Sequence, residues 1–239
     1  MPDIYWSKNA TATVGASGQT NYTNVREASE SEASVLNSTS SNLKVTKNQR
    51  FSGRGATTFG LGRAYFAFDF GGYTTGTITN LKFHYKPTTT TSFAASHYLV
   101  KFLGFGSTST FSNYDDSNWW DDISLGAANT YTAAFTVADN TTATSVSLTS
   151  QAITDAQEDG FLKVALMNAG DYNGLQPPTD TDLNVYFNIG SATTGNLYLR
   201  FDYAAAGYTN PINGTTVQYN TVNGVSATSI EKINDLIGG

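Results

Sequence analysis

The chain has 239 residues, a net charge of −6 and 13% charged side chains, about half the roughly 25% share of an ordinary globular domain. An acidic chain this poor in Lys and Arg offers no extended basic surface for phosphates, so nucleic acid is not an expected partner. Zero cysteines exclude disulfides, thiolate nucleophiles and Cys-ligated metal. No run approaches 18 apolar residues, so no spanning helix and no membrane partner are expected.

The opening "MPDIYWSKNATATVG" lacks the basic and apolar segments of a secretory leader, and the expectation is synthesis in a cytosol. Residues 7–42 are rich in Ser, Thr, Asn and Gly and read as loop. Residues 43–49 form the first expected strand. "FSGRGATTFGLGR" precedes a strand instead of joining a strand to a helix, so it reads as a flexible loop, not a phosphate cradle.

"GRAYFAFDFGGYTTGTITNLKFHY", Gly62 to Tyr85, holds two period-2 runs. Phe66, Phe68 and Phe70 alternate with Arg63, Tyr65, Ala67 and Asp69, as in a half-buried strand. Leu81, Phe83 and Tyr85 alternate with Lys82, His84 and Lys86, and Gly71 to Gly76 connect the two runs. Further strands are expected at 97–103, 130–137, 144–149, 161–167, 183–189 and 197–203. A short helix fits 150–158, with Ser150 as cap and Ile153 and Ala156 buried. About nine strands without crossover helices predict an all-β fold, an antiparallel sandwich.

Between these strands, residues 106–129 read as loop and contain "NYDDSNWWDD". Asp115, Asp116, Asp121 and Asp122 around Trp119 and Trp120 are the nearest thing to a catalytic carboxylate pair. Solvated loop carboxylates beside a loop-anchoring Trp explain the same residues, so no catalytic residue and no enzyme activity are expected. A structural Ca²⁺ is the one metal this composition leaves open, with no cofactor otherwise. His84 and His97 have no metal-ligand spacing and read as strand-face histidines. Trp119 and Trp120 are the candidates for stacking on a glycan, with Tyr65, Tyr186 and Tyr198 as further strand-face rings.

After Tyr203 the sequence turns to Gly, Pro and Asn at turn spacing, which reads as an extended linker. It leads into "VSATSIEKINDLIGG", where Thr228 and Glu231 fit a capping box and Ile230, Ile233, Leu236 and Ile237 share one stripe. A helix this short must dock to persist. The expected organisation is a sandwich over residues 1–208 and a linker with a C-terminal docking helix over 209–239.

The 62–85 segment resembles the signature of DNRLRE-type domains, matched at Arg63, Phe68, Asp69, Ile78, Leu81 and Tyr85. "SNLKVTK", "VSLTSQAITDAQEDGFLKVAL" and "GNLYLRFDY" extend the resemblance over about residues 10–203. It implies a jelly-roll β-sandwich similar to carbohydrate-binding modules. "TVNGVSATSIEKINDLIGG" resembles the closing segment of tailed-phage virion proteins, matched at Asn223, Gly224, Val225, Ile230, Lys232, Ile233 and Asn234. Together these resemblances imply a non-enzymatic phage structural protein, a capsid decoration or a head or tail appendage located in the virion. Its expected partners are other virion proteins and copies of itself, reached through Ile230, Ile233, Leu236 and Ile237. The alternative is a carbohydrate-binding module that meets a cell-surface glycan.

Overall fold

A computed structural model describes residues 2–5, 11–27, 34–38, 42–53, 56–91, 95–104, 120, 122–137, 143–178, 181–188, 196–206, 221–222 and 225–226. For residues 11–18, 34–38, 42–48, 88–91, 95, 181–188, 221–222 and 225–226 only the backbone is described. The elements are β1 (Asp3–Tyr5), β2 (Thr11–Gln19), α1 (Tyr22–Arg26), β3 (Ser34–Ser38), β4 (Asn42–Ser52), β5 (Thr57–Asp69), β6 (Thr77–Tyr85) and β7 (Pro87–Thr91). They continue with β8 (Ala95–Phe102), β9 (Ile123–Ser124), β10 (Phe135–Val137), β11 (Thr144–Ser147), α2 (Ser150–Asp159) and β12 (Phe161–Asn168). The last are α3 (Ala169–Tyr172), β13 (Thr181–Asn188), β14 (Tyr198–Ala204), β15 (Thr221–Val222) and β16 (Val225–Ser226).

The strands build an all-β antiparallel sandwich of two packed sheets. The small sheet runs β1-β14-β6-β11, and the large one contains the row β5-β12-β8-β10. In chain order those eight strands switch between the sheets as a jelly roll does. The large sheet grows beyond β5 through β4, β13 and β7, while β2 pairs with both β5 and β3.

β5 is the strand on which these parts converge. Its first half, Thr57 to Gly62, pairs with β4, and its second half, Ala64 to Asp69, pairs with β12. β2 pairs along Phe59 to Phe66. The glycine-rich stretch expected as a flexible loop is therefore strand from Thr57 onward, because backbone pairing along β5 overrides the weak β-propensity of glycine. For the same reason the polar 7–42 region is not loop throughout: β2 and β3 pair within it, and α1 lies between them.

The core lies between the sheets. Phe66 and Phe68 of β5, Leu162, Val164 and Leu166 of β12 and Leu99 of β8 pack in one cluster with Leu81 and Phe83 of β6 and Leu199 and Phe201 of β14. A second core covers the outer face of the large sheet. There Leu61, Tyr65 and Ala67 of β5, Val100 and Phe102 of β8 and Ala165 and Met167 of β12 meet Tyr22, Val25 and Trp120. The half-buried strand expected at 63–70 is thus buried on both faces: Arg63, Tyr65 and Ala67 are buried, and Asp69 is exposed. α1 and Trp120, supplied by stretches that read as polar loop, cover the face that alternation alone assigns to solvent.

α2 lies where a helix is expected, but Thr149 stands at its N-cap, without a side-chain bond, and Gly160 ends it in the left-handed region at φ 72°. Ala152, Asp155 and Ala156 are its buried residues, with Ile153 only partly buried. Burial alone would raise the Asp155 carboxyl. Hydrogen bonds from Tyr131 (2.5 Å), Gln151 (2.9 Å) and Lys101 instead hold it below the usual range, and those from Tyr131 and Lys101 pin the helix to the sandwich. The end of the stretch read as an extended linker is β15, which pairs with β16 at the start of the closing segment in a small hairpin. The docking helix expected within 228–239, with Ile230, Ile233, Leu236 and Ile237, lies outside the described residues.

The β5–β6 connection fixes how the chain passes from one sheet to the other. Gly76 sits there at φ +93°, and a Cβ on it would stand 2.5 Å from the Ala204 carbonyl oxygen. Gly76→Ala is expected to lower unfolding stability by roughly 1–3 kcal/mol through combined backbone strain and overlap, measured by urea denaturation. An unchanged midpoint would refute this role for the turn.

Candidate functional site

On the outer face of the large sheet, β5 carries Arg63 into the second core, where a guanidinium must be fully paired. Its Nε donates to Asp171 Oδ2 at 2.7 Å and its Nη2 to Asp171 Oδ1 at 2.9 Å, a bidentate ion pair. Nη1 donates to the Trp120 carbonyl at 2.9 Å, and the guanidinium lies over the Trp120 ring, 3.9 Å from its centroid. Trp120 Nε1 donates to the Arg26 carbonyl, and Arg26 Nε donates to the Asp171 carbonyl. Asp171 is held in α3, whose cap Asn168 accepts from the Gly170 N–H at 2.8 Å. Four distant segments of the chain thereby meet around one buried ion pair.

Burial works against the Arg63 charge, but the Asp171 carboxylate outweighs it and raises the group above its ordinary range. Burial also pushes the Tyr22 and Tyr65 phenols up, so they stay protonated at neutral pH. A cavity of about 240 Å³ opens beside this cluster, lined by Arg26, Glu27, Arg63, Trp120, Ile123 and Met167 among others. Sequence reasoning missed the arrangement because Asp171 follows Arg63 by 108 residues. The one local trace is an arginine inside an otherwise apolar strand.

The residues singled out from sequence fall in different places. Trp120 is 1% exposed, with a cation on its face and its N–H occupied, so the expectation of a ring offered to a glycan is corrected: it seals the second core. Tyr65 is fully buried and corrected likewise. Trp119, Asp115, Asp116 and Asp121, and the side chain of Tyr186, lie outside the described residues. Asp122 is half-buried, and its carbonyl accepts from Leu103 N at 2.8 Å. His97 is buried on β8 against Phe135. Among the described residues no group of three His, Asp or Glu side chains is placed to hold a metal ion.

Tyr198 stands on a partly open surface, the outward face of the small sheet. Register sets it between Tyr5 and His84. Its ring is nearly parallel to the His84 imidazole, with centroids 4.6 Å apart. In the next row Arg200 pairs bidentately with Asp3, at 2.6 and 2.7 Å. This bond holds the Asp3 carboxyl below its usual range. Burial, and then the Arg200 charge, push the His84 imidazole below its ordinary value, outweighing Asp3.

Compared with known proteins, the chain matches no protein-family model and no curated protein.

Removing one partner of the Arg63–Asp171 pair leaves a buried charge uncompensated. Asp171→Asn is expected to cost roughly 3–5 kcal/mol, with the double variant Arg63→Met/Asp171→Leu recovering much of it, read from urea denaturation. Additive losses in the double variant would show that the two charges are not coupled.

The pH dependence has a definite sign. With its folded pKa below the unfolded 6.5, His84 binds its proton more readily in the unfolded chain. Its contribution is therefore intact above pH 6.5 and is lost as pH falls from there to the folded pKa. Asp3 adds a second loss as pH falls below 3.8. His84→Gln is expected to flatten the first part of the melting-temperature profile and leave the second. An unaltered profile refutes the assignment.

Proposed function

We propose that this chain is a non-enzymatic structural component of a phage virion, a jelly-roll unit that joins other virion proteins or copies of itself. The observation that carries the reading is a division along the chain. The jelly roll completes its last strand, β14, at Ala204, and the sequence beyond places Ile230, Ile233, Leu236 and Ile237 at helical spacing. Burying those four side chains against a neighbour would contribute roughly 6–10 kcal/mol before ordering costs. Repetition over a particle multiplies a contact of that size.

The use of buried charge supports the same reading. Arg63–Asp171 and Lys101–Asp155 tie elements of the sandwich together, so these groups serve the fold. The phage-like closing segment "TVNGVSATSIEKINDLIGG" adds the virion context.

A second reading, recognition of a cell-surface glycan, draws on the polar and aromatic outward face of the small sheet around Tyr198. It is compatible with an appendage role.

Deleting residues 209–239 is expected to leave a cooperatively melting β-sandwich that loses incorporation into particles by about tenfold or more, as quantified by mass spectrometry of purified virions. Equal incorporation of full-length and truncated chains overturns the assembly reading.

A further inference from the structure

The outward face of the small sheet is organised in two rows by strand register. Tyr5, Tyr198, His84 and Ser145 lie opposite one another across β1, β14, β6 and β11. Asp3, Arg200, Lys82 and Ser147 form the second row, two residues along each strand. Strands about 4.8 Å apart and residues alternating face to face make this a regular array.

The first row is a ring stack, with Tyr5 and Tyr198 centroids 5.4 Å apart and Tyr198 and His84 4.6 Å apart. The Tyr198 ring is already engaged by neighbours, with His84 stacked in parallel and Arg200 5.3 Å from the ring centroid. The stack therefore offers ring edges and hydroxyls instead of a flat apolar platform. Exposed Ser145 and Ser147 continue the hydroxyl supply on β11.

The charges on this face are uneven. Asp3 is taken by Arg200, and Asp202 accepts a hydrogen bond from Asn80 Nδ2 at 2.6 Å. Lys82 is exposed, and the half-buried Lys86 follows the end of β6, two residues beyond the outward His84. Neither has an ion-pair partner among the described residues. With Asp3 and Arg200 paired, Lys82 and Lys86 outnumber the Asp202 carboxylate on this hydroxyl-lined strip of a chain of net charge −6.

From this juxtaposition we infer that the outward face of the small sheet binds an acidic polysaccharide, a sugar chain bearing carboxylate or sulfate groups and lying across β14, β6 and β11. Lys82 and Lys86 meet the anionic groups, and the Tyr198, Ser145 and Ser147 hydroxyls meet sugar hydroxyls. Charge complementarity selects an anionic partner. The density of hydroxyls, with no apolar socket in either row, selects a sugar over an acidic peptide. The inference rests on the glycan reading and is independent of the C-terminal assembly reading.

The test is calorimetric titration of the full chain with hexagalacturonate, neutral cellohexaose and polyglutamate, at low and at raised salt. Hexagalacturonate is expected to bind saturably and to weaken about tenfold as salt screens the contacts. Cellohexaose is expected not to bind. Lys82→Glu is expected to weaken binding at least about tenfold by placing a like charge under the ligand. Tyr198→Phe, which keeps the ring stack, is expected to cost about fivefold by removing one hydrogen bond. Unchanged melting temperatures establish that both variants are folded. No binding by the parent chain, equal binding of cellohexaose, or parent-like binding by Lys82→Glu overturns the proposal. Polyglutamate binding as tightly as hexagalacturonate overturns the sugar assignment in favour of a protein partner. None of these outcomes alters what the truncation reports about incorporation into particles.

Discussion

The buried bidentate pair between Arg63 and Asp171 is the constraint around which the outer half of this molecule is organised. A guanidinium inside the second core is tolerable only because a carboxylate, a backbone carbonyl and an indole face surround it. Those partners come from α3 and from the residue that follows the 105–119 stretch, and Arg26 of α1 ties the same two groups together. Satisfying one charge therefore recruits three segments that would otherwise have little reason to meet. Their apolar neighbours, Tyr22, Val25 and Tyr172, then cover the outer face of the large sheet.

That second layer decides which surfaces remain for function. With the outer face of β5 and β12 sealed, Tyr65 and Trp120 become structural. The outward face of the small sheet has no such cover among the described residues, and its rows of rings, hydroxyls and cations stay partly open.

The strands were largely legible from alternation. β6, β12 and β14 occur within a residue or two of where period-2 patterns place them, because one face of each meets the inter-sheet core. β2 and β3 were not legible: their residues carry the composition of loop, and pairing with β5 and with each other makes them strands. The candidate sites fared unevenly for related reasons. Trp120 was visible as a large ring in a polar stretch, but whether it anchors or stacks depends on Arg63, 57 residues away. The Tyr5, Tyr198 and His84 row depends on two strand registers joining residues up to 193 positions apart, taking Tyr5 and Tyr198 as the extremes. No local pattern carries that information.

The sequence by itself determined the all-β class, the positions of the main strands and the inward phenylalanines of β5 and β6. Those follow from side-chain alternation and from the transfer of apolar surface out of water, both local properties. Only the tertiary structure decided that β5 is buried twice, that the glycine-rich stretch extends it, and which ionisable groups meet. Burial of a second face and the pairing of Arg63 with Asp171 depend on segments distant in the chain, and a period read along one strand is blind to what another segment lays over it.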